Sequence, residues 1–373
     1  MKKDEQLLKR LLGIFCAILL VITMVINLVL PDRAKSDVEN RSLQTFPTLS
    51  MDSVLDGSFE TSMNDWFSDQ FVGRNFFIHV RYAILKAFGY DKIDSVYLCG
   101  DKLIEESAQP DVDNIVRNLD AIEAFADDLP TYFMLVPNAI NVQYDSLPYF
   151  TTSDGQDGIM NDIFDYFEDR IQVVDTRDMF YEHSDEYIYY KTDHHWTSLG
   201  AFYGCQYLMD LKGETLKKKN YKVLPVSDSF QGTLSNKTGS FDIQDEIDIF
   251  VNKDLCDYYV VDDATQEKSR SIYNSKALDV NDQYTVFMGG NKGVVHLEMN
   301  NDSDKHLLLF KDSYANAAIQ FLLPYYRTIT IVDARYCNEK ASNFLKRDLI
   351  NEVMYLYNTN TFVQDTSLAD VLE

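Results

Sequence analysis

The chain has 373 residues, 46% of them hydrophobic, with 24 tyrosines and 23 phenylalanines, which is enough for one large or two ordinary cored domains and excludes wholesale disorder. A formal net charge of -25, with no Lys/Arg stripe to offset it, excludes nucleic acid as a partner, because such a chain repels a polyphosphate backbone. The five cysteines are far apart and form no C-x-x-C pair, so neither a zinc site nor a thioredoxin-like motif is expected.

Leu11 to Leu30 is apolar apart from Gly13, Thr23 and Asn27, a length that matches the hydrocarbon thickness of a bilayer. Lys2, Lys3, Lys9 and Arg10 precede it against Asp4 and Glu5, a balance that favours an N-terminus held inside and a body carried outside. The run is long for the core of a cleaved signal peptide, and Ala34-Lys35-Ser36 is a weak cleavage site, so an uncleaved signal anchor is expected. Residues 1–31 are thus read as a cytoplasmic tip and transmembrane anchor, and 32–50 as a linker with mixed charges and Pro47.

Residues 51–373 are read as one catalytic domain. Phe59, Met63, Trp66, Phe67 and Phe71 recur at three- and four-residue steps, which predicts helix over 56–88. A short strand is expected at Val96–Leu98. Val112, Ile115, Leu119, Ile122 and Ala126 then mark an amphipathic helix with Asp111 as N-cap. Tyr132–Val136 and Ile171–Val174 read as buried strands flanking a helix over Ile159–Phe167, and Thr197–Leu211 as a further helix. From about 213 to 282 this rhythm is lost, and the segment is read as an inserted β-rich flap beside the main sheet. Strands are expected again at Tyr284–Met288, Val294–Met299, Leu307–Phe310, Thr328–Val332 and Val353–Leu356, with helices at Tyr314–Tyr325 and Ala341–Ile350. Alternating apolar strands and amphipathic helices imply an α/β fold, a mostly parallel sheet covered on both faces. Its strand C-terminal ends would then line one edge and carry any site.

Two stretches carry chemistry. Lys191-Thr192-Asp193-His194-His195-Trp196-Thr197 holds two of the six histidines and one of the two tryptophans. An acid two positions before a histidine can supply the orienter and the base of a nucleophilic triad. The nucleophile expected is Ser313 in Lys311-Asp312-Ser313-Tyr314-Ala315-Asn316, where a buried strand gives way to a helix whose first N–H groups suit an oxyanion. On residue type alone Ser313 is a helix N-cap before it is a nucleophile, and Trp196 is core packing before it is a sugar platform. A metal at Asp193, His194 and His195 lacks further ligands at helical spacing, His183 being the nearest, so none is expected.

These strings, together with Glu39-Asn40-Arg41-x-Leu43, Trp66-Phe-Ser-Asp69…Arg74 and Phe287-x-Gly-Gly-Asn291, resemble the Asp-His-His-Trp (DHHW) family of bacterial exported proteins. That family is similar to the SGNH-hydrolase-like acetyltransferases of alginate biosynthesis. The resemblance implies an SGNH-hydrolase-like domain that O-acylates, normally with acetyl, a cell-envelope or secreted polysaccharide and needs no cofactor. Carried over by position, it puts the acid at Asp193, the base at His195 and the nucleophile at Ser313. It also suggests Gly290 and Asn291 as oxyanion donors and Trp196 as a substrate contact. By analogy it implies a membrane-bound O-acyltransferase partner that delivers the acyl group across the bilayer. One departure is marked: the small residue before the acid of the Gly-Asp-Ser block is a long cation here, Lys311. A carbohydrate esterase of the same fold, and a non-catalytic glycan-binding or scaffold protein, are the rival readings.

Overall fold

The computed structural model describes residues 2–36, 41–149, 151, 155–167, 170–345 and 347–373. The chain divides into two compact units, Met1–Phe88 and Gly89–Glu373. The segment 51–88, which the sequence assigns to the catalytic body, groups with the N-terminal unit.

In the first unit, helix α1 runs Lys2–Val29, and its stretch Lys9–Val29 is long and apolar enough to cross a membrane by length and composition. The helical pattern over 56–88 breaks into α2, Ser58–Gln70, and α3, Arg74–Ala87. The break falls at Gly73, whose φ of 74° is a left-handed value that suits glycine. Of the Glu39-Asn40-Arg41-x-Leu43 string, Glu39 and Asn40 lie outside the described residues.

The second unit is built on an eight-stranded sheet. In chain order its strands are β1 (Thr131–Val136), β2 (Gln172–Asp175), β3 (Tyr258–Asp262), β4 (Lys268–Ser269), β5 (Val294–Met299), β6 (His306–Lys311), β7 (Thr328–Val332) and β8 (Glu352–Asn358). Their spatial order is β4-β3-β5-β7-β6-β8-β1-β2, with β7 to β2 parallel and β5, β3 and β4 added antiparallel at one edge. The helices that cover it are α4 (Val112–Ala126), α5 (Asp157–Tyr166), α6 (Ser198–Leu211) and α8 (Ala315–Leu322), whereas the short α7 (Thr233–Thr238) packs against the strands Val96–Cys99 and Lys102–Glu105.

Strand residues alternate between two cores, as the period of two requires. Leu307 and Leu309 of β6 join a cluster with Ala201, Phe202, Cys205 and Leu208 of α6, while Leu308 and Phe310 join Ile115, Leu119 and Ile122 of α4 and Met160 and Ile163 of α5. A buried strand with helices on both faces therefore reads as an unbroken apolar run. The local caps follow from side-chain chemistry. Asp111 accepts from the Asn114 N–H at 3.3 Å, and Thr197 from the Gly200 N–H at 3.3 Å, so each supplies a partner that the first turn lacks.

Several expectations are corrected. Val96–Cys99 is a strand, but it belongs to a separate antiparallel sheet with Lys92–Ile93 and Lys102–Glu105. Gln283–Val286 is a 3-10 turn instead of a strand, and among its described residues 341–350 holds the short helix Ala341–Phe344 and a 3-10 turn at Arg347–Leu349. The 213–282 segment is only half a flap: Tyr221–Phe230 pairs with Asp245–Asn252 as its own ladder, whereas β3 and β4 extend the main sheet.

That ladder is fastened to the Asp-His-His-Trp loop by one buried carboxylate. Asp245 accepts from the Lys191 N–H at 2.8 Å, the Thr192 N–H at 2.7 Å, the Thr192 hydroxyl at 2.5 Å and the Tyr187 hydroxyl. On the other side of the loop, α6 lies so close that a Cβ on Gly200 would stand 2.3 Å from the Ile188 carbonyl oxygen. A backbone oxygen cannot move aside as a flexible side chain can. Gly200→Ala should therefore lower stability by about 1–3 kcal/mol, the usual cost of overpacking, and denaturant unfolding of the purified chain measures it.

Candidate active site

The parallel register brings the C-terminal ends of β7, β6, β8 and β1 side by side, so that Asp333, Ser313, Asn358 and Asn138 follow or close neighbouring strands. Ser313 stands two residues past β6 and is 8% exposed. Its Oγ lies 2.8 Å from His195 Nε2, and His195 Nδ1 lies 2.5 Å from Asp193 Oδ1. Three residues from two loops 118 positions apart thus form one chain of hydrogen bonds. The carboxylate can only accept, so Nδ1 carries the proton and Nε2 presents its lone pair to the serine hydroxyl.

Each member is held independently. Asp193 Oδ1 also accepts from the His195 N–H at 3.0 Å, and Oδ2 accepts from the Thr233 N–H at 2.7 Å and the Thr233 hydroxyl at 3.0 Å. Gly232 makes that second grip possible, since a Cβ there would sit 2.2 Å from Asp193 Cβ and 2.4 Å from its Oδ2. The His195 ring stacks on Tyr284 at 3.8 Å with a 12° tilt, and the Tyr284 hydroxyl donates to the Ser313 carbonyl at 3.0 Å. Asp312 braces the turn from behind. One oxygen accepts from the Tyr314 N–H at 2.8 Å, the other from the Asn358 N–H at 2.7 Å and its side-chain amide at 2.5 Å.

The electrostatics follow from burial and charge. Burial alone would raise the Asp193 carboxyl, but the imidazoles of His195 and His194 outweigh it and hold the group well below the usual carboxylate range. Burial, and after it the neighbouring His194, lower His195 from 6.5 to about 4 against the pull of Asp193. The imidazole is therefore neutral at pH 7. Burial pushes Asp312 up to about 6.

Lys311, the cation that departs from the expected block, is 2% exposed. Its ammonium donates to Asn291 Oδ1 at 3.2 Å, Asn316 Oδ1 at 2.9 Å and Asp333 Oδ2 at 3.0 Å, which uses all three protons. Asn316 Nδ2 adds a second bond to Asn291 Oδ1 at 3.0 Å, so the Asn291 amide is fixed with its nitrogen on the side away from Lys311. Asp333 also takes a forked pair from Arg335, at 2.9 and 2.8 Å. Two cations, Lys311 and Arg335, share one buried carboxylate behind Ser313. Burial lowers the Lys311 pKa and Asp333 opposes that.

The remaining expected site residues are placed differently. Trp196 is fully buried and its indole N–H donates to the Tyr314 carbonyl at 2.8 Å, so it is core and offers no sugar platform. Gly290 has φ of 91° and gives its N–H to the Phe287 carbonyl at 3.2 Å, which makes it a turn-former with no donor to spare. Met288 and Gly289 are left-handed too, so the turn that presents Asn291 needs its glycines. Asp193, His194 and His195 offer metal-type donor atoms within 4.8 Å of one another. Both His195 nitrogens are already engaged, His194 Nδ1 faces the Thr233 hydroxyl at 2.7 Å, and His183 pairs with Glu186 at 2.6 Å.

Sequence reasoning missed Gly232, Thr233, Tyr284 and Asn358. Gly232-Thr233 falls in the segment read as a flap, and nothing local distinguishes it from an ordinary helix start. A cavity of about 890 Å³ is lined by His194, Thr233, Lys237, Arg335, Asn358 and Glu105 among others. Ser313 is not on its wall. The cavity borders the three-residue chain through His194 and Thr233.

Two outcomes test this geometry. The His195 ring nitrogens should titrate near 4 by nitrogen NMR, leaving the imidazole neutral from pH 5 to 8, because its native pKa is lowered. Gly232→Ala should shift or abolish the far-downfield proton NMR signal of the His195 Nδ1–H, since the added methyl displaces Asp193.

The DHHW protein family model matches this chain over residues 39–146 and 91–332. A search of curated protein sequences finds no match. Among solved structures, a DHHW family protein from Eubacterium siraeum is 21% identical with a TM-score of 0.58, covering 75% of this chain and 97% of that one. Bacillus cereus PatB1, solved with a sulfonyl adduct, is 19% identical with a TM-score of 0.60, covering 73% and 97%. The O-acetyltransferase domain of Pseudomonas putida AlgJ is 13% identical with a TM-score of 0.46, covering 74% and 95%. The fold is shared with the first two, and with the family model spanning well over half its length the chain belongs to the DHHW family.

Proposed function

We propose that this protein is a membrane-anchored, extracytoplasmic O-acyltransferase that modifies a cell-envelope polysaccharide through Ser313, His195 and Asp193. The observation that supports this best is the hydrogen-bond chain from Asp193 through His195 to the Ser313 hydroxyl, in a neutral, oriented, buried state. A lone helix-capping serine needs no base at its hydroxyl and no carboxylate behind that base.

In the first half-reaction Ser313 Oγ bonds to the acyl carbonyl carbon while its proton passes to His195 Nε2. The tetrahedral oxyanion collapses, the bond to the leaving group breaks, and the leaving group departs with the proton from His195. In the second half a glycan hydroxyl gives its proton to His195 and attacks the acyl-serine. Ser313 leaves and takes the proton back. Asp193 keeps its negative charge throughout and stabilises the imidazolium of each half. The Asn291 amide nitrogen, its flip set by Lys311 and Asn316, is the side-chain donor assigned to the oxyanion. The polar cavity beside His194 and Thr233 is the seat assigned to the acceptor glycan. An acetyl group delivered by a multi-spanning membrane O-acyltransferase fits a body placed outside by its anchor.

The test is covalent labelling of the full-length protein with a sulfonyl fluoride or an activated acetyl ester, read by mass spectrometry. Label is expected on Ser313, absent in Ser313→Ala and His195→Ala. It should form about 10²–10³-fold more slowly in Asn291→Asp, which keeps the Lys311 bond but loses the amide donor. Unlabelled Ser313 in folded protein would sink the triad and favour a glycan-binding or scaffold role. Labelled enzyme that releases acetate equally fast with and without glycan would make it an esterase.

A further inference from the structure

The N-terminal unit carries a feature that the chemistry does not use. Asn27 is 3% exposed, although it sits inside the apolar stretch of α1, and its Oδ1 accepts from the Val72 N–H at 2.9 Å. Arg33 adds to the same seam: its N–H donates to Gln70 Oε1 at 3.0 Å and its guanidinium to the Asp69 carbonyl at 2.8 Å. The turn between α2 and α3 is therefore tied to the last turn of the apolar helix. Asn27 lies two residues before Val29, about 3 Å along the axis at 1.5 Å per residue. If residues 9–29 fill the hydrocarbon, Val72 stands at the boundary of the lipid, and α3 starts there.

The composition of α3 suits that position. It contains Arg74, Arg81 and Lys86 and no acidic residue, in a chain whose net charge is -25. Its outward side carries Phe76 at 65% exposure, Phe77 at 54% and Ile84 at 50%, with Phe88 at 80% just past its end. An aqueous helix gains nothing by showing four large apolar side chains to water. A cationic amphipathic helix with phenylalanines on its open face is the pattern that lies in the plane of a membrane interface.

We propose that α3 is an interfacial helix, with Phe76, Phe77, Ile84 and Phe88 in the headgroup and upper acyl region and its cations facing anionic headgroups. The hydrogen bond from Val72 to Asn27 fixes its depth. The proposal shares with the functional reading only the anchor, and it stands if Ser313 proves inert.

The test uses the full-length chain, reconstituted in phosphatidylcholine vesicles with and without phosphatidylglycerol. Tryptophan is introduced singly as Phe77→Trp, Phe88→Trp and, in the span, Val21→Trp, with the wild-type emission subtracted. Lipids brominated near the top of the acyl chain should quench positions 77 and 88 at least twofold, and acrylamide should quench them several-fold less than it quenches free tryptophanamide. Adding phosphatidylglycerol should strengthen the lipid quenching. Positions 77 and 88 that respond to acrylamide like the free amide, and not to brominated lipid, would overturn the proposal. So would a position 21 that no brominated lipid quenches, because the helix would then have no bilayer to lie on.

Discussion

The site depends on one carboxylate that is held from two directions. Asp193 gives one oxygen to its own loop, through the His195 N–H and ring, and the other to Thr233 in a segment 40 residues away. A buried charge without such partners would be costly enough to protonate. With them it stays ionised and leaves His195 a single tautomer. The ladder of Tyr221–Phe230 and Asp245–Asn252 is thus more than an ornament beside the sheet. It brings Thr233 to Asp193, and through Asp245 it also fixes the two residues that precede that acid.

The parallel sheet does the complementary task for Ser313. Adjacent strands end at the same level, so Asp333, the 311–313 turn, Asn358 and Asn138 meet without any long-range signal between them in sequence. The tyrosine after Ser313 shows how closely these ends are knitted. Tyr314 accepts from the Asn138 amide at 3.0 Å, donates to the His194 carbonyl, and receives the Trp196 indole N–H on its own carbonyl. The tryptophan of the motif acts in this way as a tie between the two loops.

Much of this was legible in the sequence, for physical reasons that also explain the failures. Apolar runs such as Leu307–Phe310 and Tyr132–Val136 announce strands buried on both faces, and the 3-4 spacing from Val112 to Ala126 announces α4. The acid two positions before a histidine, and the serine at a strand-to-helix turn, single out the three residues that the fold brings into one hydrogen-bonded chain. Tyr284–Met288 failed as a strand because its apolar residues face one cluster from a 3-10 turn, a burial pattern that a short run cannot distinguish from extended chain. Gly232 was invisible because its role is to leave space, and space is a property of the neighbour. Lys311 read as a defect in a small-residue block. Three acceptors, from residues 291, 316 and 333, converge on it only after folding.

The stacking of His195 on Tyr284 has a consequence for the order of events. A ring clamped on one face, bonded at Nδ1 and aimed at Ser313 through Nε2, has no room to swing toward solvent and exchange its proton there. In the proposed reaction, every proton it handled would come and go at the same nitrogen, beside the same hydroxyl. A leaving group and an incoming hydroxyl served by that ring would have to occupy one berth in turn, so the first would vacate before the second could dock. A histidine held in this way makes sequential occupancy a matter of sterics.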